Sequence, residues 1–164
     1  MENISLRFKG AIIVSFIIAL ALTIMPLSEE WKLWRPEWIA LTLIHWGLLL
    51  PKKISLLLAW FVGLLVDVIY GSILGQHALG YTLVLFMALR LRPHLLIDSV
   101  FHQLFLLILT LGSFLLINLW ILGITGNTPT AWVYWYPIGS SAIVWAVYHL
   151  ILKYLFTKEN LYDY

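Results

Sequence analysis

The chain has 164 residues; 62% are hydrophobic and only 11% are charged, against roughly 25% charged in an ordinary soluble domain. So few polar groups, with a net charge of only +2, exclude a soluble enzyme, a disordered tail and a nucleic-acid module, and the absence of cysteine excludes disulfides and thiolate metal sites. The composition predicts one integral membrane domain covering residues 1–164.

A bilayer core about 30 Å thick asks for roughly 20 apolar residues per spanning helix. The first uncharged run, 10–28, follows Arg7 and Lys9 and contains an Ala19-Leu20-Ala21 triplet, as a secretory leader does. The run exceeds the roughly 7–15 residues of a leader's apolar region, and the triplet lies in its middle. An uncleaved anchor is predicted. A polar stretch follows, with Trp31, Trp34 and Trp38 at i, i+3 and i+7, a pattern that fits a short interfacial helix ended by Pro36.

The second span is predicted over 37–51, before Lys52 and Lys53. From Ile54 to Leu89 the only charge is Asp67. That stretch is too long for one span and barely long enough for two, so it is divided into 54–70 and 74–90. Three glycines, Gln76 and His77 mark the fold-back between Gly71 and Gly80. Two further spans are predicted over 98–123 and 132–156. With six spans and both termini cytoplasmic, eight Lys or Arg fall inside and two outside, as cytoplasmic enrichment of basic residues requires. If 71–89 did not cross, the split would be four against six. Trp31, Trp34, Trp38, Trp120, Trp132 and Trp135 all fall at outer ends, where amphipathic rings prefer to sit.

Asp67 is the strongest chemical signal. A carboxylate within a span costs roughly 2.5–3.5 kcal/mol to insert, so it must face protein or water. Gly63, Asp67, Gly71 and Gly75 recur every four positions, which on a helix is one face of small residues suited to close packing. That face would lock two helices, hold an ion or substrate, or meet a partner's helix. His94, Asp98 and His102 also share a helical face if a helix begins after Pro93. A metal site is one reading and a polar helix start the plainer one. His45, His149, Asn118 and Gln103 read as groups hydrogen-bonded to neighbouring helices. No P-loop, HExxH or serine nucleophile elbow appears, and no cofactor or nucleic-acid partner is expected. A membrane scaffold, a transport subunit and an intramembrane enzyme are the classes left.

Arg35-Pro36 stands at the start of the second predicted span and Pro51 at its end, and the run Gly63-Leu64-Leu65-Val66-Asp67-Val68-Ile69-Tyr70-Gly71-Ser72-Ile73-Leu74-Gly75 continues through Gln76-His77-Ala78-Leu79-Gly80. By these residues the stretch 35–90 resembles the MreD family of rod shape-determining proteins. The resemblance implies a six-transmembrane all-α bundle in the bacterial inner membrane, similar to the substrate-binding subunits of energy-coupling-factor transporters. It implies a non-enzymatic scaffold of cell elongation and lateral peptidoglycan synthesis. The implied partners are an MreC-like single-span protein, an MreB-like filament, a RodA-like glycosyltransferase and a penicillin-binding transpeptidase. Gly63, Asp67, Gly71, Gly75 and Gly80 would then serve helix packing or partner docking. Trp31, Trp34, Arg35, Pro36 and Trp38 would form an outer contact. The likeness to transporter subunits supplies the alternative, a small-molecule-binding transport subunit, with Asp67, Gln76 and His77 as pocket groups.

Overall fold

The computed structural model describes residues 2–95, 100–126 and 132–157, and describes side chains over 9–93, 101–126 and 132–147. Seven α-helices follow in chain order: α1 (Glu2–Ile24), the one-turn α2 (Glu29–Leu33), α3 (Trp38–Leu49), α4 (Leu56–Tyr70), α5 (Gln76–Leu95), α6 (Val100–Ile124) and α7 (Tyr136–Thr157). A 3₁₀ turn, Trp132–Trp135, leads into α7.

The local reasons for these boundaries are legible. Ser55 caps α4 by accepting the Leu58 N–H at 3.2 Å. Gly71 ends α4 in the left-handed conformation, φ 61°, and the Ser72 N–H returns to the Asp67 carbonyl at 3.0 Å. That is the turn geometry in which glycine carries no Cβ penalty. Pro93 lies inside α5 near its end.

Helices α3 and α5 form the centre. Every residue of α3 from Ile39 to Leu48 is buried, the all-round burial expected of a core helix that is apolar on every side. Helix α1 packs on α3, α4 on α5, and α6 on α5, while α7 closes the bundle against α6 and α3. Trp46 donates from Nε1 to Ser15 Oγ at 2.7 Å, tying α3 to α1. The Glu37 N–H donates to Ser141 Oγ at 2.9 Å, tying the start of α3 to α7.

The expected six-transmembrane bundle, and with it multi-pass placement in the inner membrane, is not what the helices provide. Among the described residues one stretch, Phe101–Ile124, is long and apolar enough to cross a bilayer. Lys9–Ile24 and Leu56–Tyr70 are apolar but shorter. The 15 residues of α4 reach about 22 Å at 1.5 Å per residue, short of a core about 30 Å thick. Helix α3 has 12 residues. Helix α5 has 20, but Arg90, Arg92 and Pro93 occupy its end and Gln76 and His77 its start. Counting uncharged residues counted the turns as well as the helices.

The outside still shows large apolar side chains: Ile13 and Ile17 on α1, Leu57 and Phe61 on α4, Phe101 and Phe105 on α6. Where such side chains adjoin, the patch marks contact with protein or membrane.

Candidate functional site

The connection between α4 and α5 is organised by one carboxylate. Asp67, fully buried on the last turn of α4, uses both oxygens. Oδ1 accepts from Ser72 Oγ at 2.8 Å, from the His77 N–H at 2.9 Å and from His77 Nδ1 at 2.8 Å. Oδ2 accepts from the Gly75 N–H at 2.8 Å and the Ala78 N–H at 3.5 Å. The first N–H groups of a helix have no partner within it and carry its positive dipole end. Asp67 therefore caps α5 from the helix before it.

The small residues divide between two jobs. A Cβ on Gly63 would stand 2.2 Å from Ala78 Cα, and one on Gly80 would stand 2.6 Å from the Phe114 ring. These two let α4 meet α5, and α5 meet α6, backbone against side. Gly71 and Gly75 lie outside α4, in the turn, with φ 61° and 102° and open space where a Cβ would go. The period of four therefore does not continue as a helix face beyond Asp67.

His77 stands between the Asp67 cap and a cavity of about 600 Å³. Its Nδ1 faces the Asp67 carboxylate, an acceptor, so this nitrogen carries the proton. The cavity's polar lining consists of Lys32, Glu37, Gln76, His77, Asn118 and Tyr134. Asp67 does not line it and acts on it through His77. Glu37 sits just before α3 beside Arg35. Burial pushes its carboxyl up to about 7, the Arg35 guanidinium acting in the opposite sense. Tyr134 donates its hydroxyl to the Leu115 carbonyl at 2.8 Å, fixing the 3₁₀ turn over α6. Glu37, Asn118 and Tyr134 were not singled out as pocket groups from sequence. Their convergence depends on packing between α3, α6 and the 3₁₀ turn, although an acid standing immediately before an apolar run is a signal for Glu37.

Two arginines tie off helix ends. Arg35 donates from Nη1 to the Thr23 carbonyl and from Nη2 to the Met25 carbonyl, the unpaired end of α1. Tyr70 at the end of α4 donates to the same Thr23 carbonyl at 2.8 Å. Arg92 donates from Nε to the Leu48 carbonyl at 2.8 Å, at the end of α3. Arg35 thus works inside the molecule. Of the expected outer contacts, Trp31 is exposed, Trp34 stacks on Tyr136 at 4.5 Å, and Trp38 packs against the core beside Pro36.

Asp98 lies outside the described residues, as do the side chains of His94 and His149. His94 belongs to α5 and His102 to α6, and the predicted shared face, which runs through residues 96–99, lies outside the described residues. Among the described residues no cluster of three metal-ligating side chains occurs.

The family profile described as rod shape-determining protein MreD matches residues 6–157. The chain belongs to the MreD family. The rod shape-determining protein MreD of Haemophilus influenzae is 28% identical over 150 residues, covering 90% of this chain and 91% of that relative. No solved structure matches the chain, so the implied likeness to transporter substrate-binding subunits has no structural match behind it. Membership in MreD gives a non-enzymatic, membrane-associated role in the rod-shape and elongation system.

Proposed function

We propose that this MreD-family chain acts in cell elongation as a scaffold that receives an apolar helix of an MreC-like single-span protein. The MreB-like filament, RodA-like glycosyltransferase and penicillin-binding transpeptidase join through that contact, directly or indirectly. The observation that carries the docking reading is the two-sidedness of α4. Its inner side is closed, because Gly63 meets Ala78 and Asp67 is fully buried. Its outer side presents Leu57, Phe61, Leu65 and Val68, each more than half exposed, at i, i+4, i+8 and i+11. That spacing is the stripe by which one helix seats another. Small residues therefore shape the fold-back, and docking falls to the larger apolar residues behind them. Trp31, exposed in the short α2, extends the same role to the loop side.

The test is affinity recovery of the tagged chain from gently solubilised native membranes, with mass spectrometry of what accompanies it. An MreC-like protein recovered by the parent and lost from Phe61→Glu and Leu65→Glu variants supports the reading. Recovery unchanged by both variants moves the contact away from α4. Recovery of an ATPase pair with a coupling subunit overturns the scaffold role.

A further inference from the structure

The cavity beside His77 has features that a scaffold does not use. Asn118, 5% exposed on α6, lines it. Its Nδ2 donates to the Phe114 carbonyl at 3.1 Å, which fixes the orientation of the amide, because an oxygen there would face another oxygen. Its Oδ1 is buried and receives no hydrogen bond from the described residues. A buried acceptor left in that state is costly, so the site favours a donor brought from outside.

Two further groups of the lining can accept from the same donor. Where Nδ1 holds the ring's one proton toward Asp67, Nε2 of His77 offers a second acceptor. The Glu37 carboxylate is a third. Lys32, the cation at the cavity's edge, is paired with Glu29 at 2.5 Å. The remaining lining includes Phe114, Leu115, Leu122 and Val133, apolar surface with an aromatic face suited to a cation.

We propose that this cavity binds a ligand bearing a primary ammonium group, whose three N–H donors meet Asn118 Oδ1, His77 Nε2 and the Glu37 carboxylate. The rest of the ligand lies along the apolar wall. The ammonium is supplied by a free amine or by the ethanolamine headgroup of a lipid. This site is independent of the α4 docking face, so either assignment fails without the other.

The experiment uses the full chain in detergent micelles and in phosphatidylcholine nanodiscs. Binding of O-phosphoethanolamine and of dioleoylphosphatidylethanolamine is measured by calorimetry and native mass spectrometry, against phosphocholine and dioleoylphosphatidylcholine. Trimethylation keeps the charge and removes every N–H. The expected result is binding of an ethanolamine compound at least about tenfold tighter than its choline counterpart. Binding of the soluble headgroup alone assigns a free amine, and binding of the lipid alone assigns a membrane source. Asn118→Leu and Glu37→Gln are expected to lose that preference, while Asn118→Asp keeps it. Equal binding of amine and choline compounds, or no binding of either, overturns the proposal and leaves water as the partner of Asn118. The amine–choline comparison uses the parent chain, so it decides even where a variant fails to fold.

Discussion

Asp67 and His77 are joined twice across the turn between α4 and α5. The carboxylate holds the imidazole Nδ1 at 2.8 Å and the same residue's backbone N–H at 2.9 Å. One contact orients a side chain toward a cavity and the other caps a helix. Asp67→Leu removes both and strands buried N–H groups, each costing about 1–3 kcal/mol. The variant is expected to lose about 3 kcal/mol or more of stability, or to fail to fold. Asp67→Asn keeps one acceptor oxygen and is expected to lose about 1–2 kcal/mol, in the range of a weakened cap. Denaturant unfolding in micelles measures both. Equal loss from the two variants would show that negative charge, rather than accepting geometry, is what α5 requires.

Glycine positions separate by mechanism. Gly63→Ala drives a Cβ into the Ala78 backbone, which cannot yield without parting α4 from α5. Its expected cost is about 2–3 kcal/mol, as for overpacking elsewhere. Gly71→Ala meets open space but retains φ 61°, and is expected to cost about 1 kcal/mol. Gly112, inside α6 with open space around it, is expected to gain up to about 1 kcal/mol on change to Ala. Thermal midpoints of the three variants give the order, and a Gly63→Ala protein as stable as the parent would refute the close approach.

Glu37 sets a pH dependence. Its carboxyl titrates near 7 in the fold and near 4.5 as a free group. The folded form therefore holds a proton that the unfolded chain has released between those values. Stability from this group is full below about 4.5, declines as pH rises toward 7, and is flat above. Arg35 acts on it directly, and Lys32, His77 and Tyr134 line the same cavity. The parent is expected to melt lower at pH 8 than at pH 5.5. In Glu37→Gln that difference shrinks, and a difference of undiminished size would assign the effect to another group.

Arg35 holds α1 and the loop together through a planar fork. Arg35→Lys keeps the charge but cannot span the Thr23 and Met25 carbonyls at once. The expected cost is about 1–2 kcal/mol, with faster amide hydrogen exchange confined to the end of α1. Exchange unchanged there would mean that Tyr70 alone secures the Thr23 carbonyl.

Much of the helical layout was legible because charges and breakers punctuate the chain. Lys52, Lys53 and Pro51 separate α3 from α4, and Gly71 ends α4. Crossing a bilayer was not legible from the same marks, since it depends on unbroken helix length and the turns consume residues that hydropathy counts as apolar. The four-residue repeat misled for a related reason. A small residue at i+4 reads alike whether it faces a neighbouring helix, as Gly63 does, or bends the chain, as Gly71 and Gly75 do. Asp67 stood out as a lone acid in an apolar run. Its role as a cap required knowing that residues 75–78 return to it. Asn118 reads as one more polar residue in a helix until its Nδ2 is seen to be committed and its Oδ1 left over.

The hydrogen bonds that close the α4–α5 turn all fall within 11 positions of chain. Closing a loop of about ten residues takes on the order of 10–100 ns, far less than synthesis of the next helix. The contacts that close the hairpin are therefore local, and the hairpin is expected to form ahead of the long-range packing of α6 and α7. The remaining helices assemble on a template already present, α6 against Gly80 and α3 against the far side of α5. Substitutions at Asp67 or Gly63 then slow folding itself, whereas substitutions at the α6–α7 contact chiefly hasten unfolding.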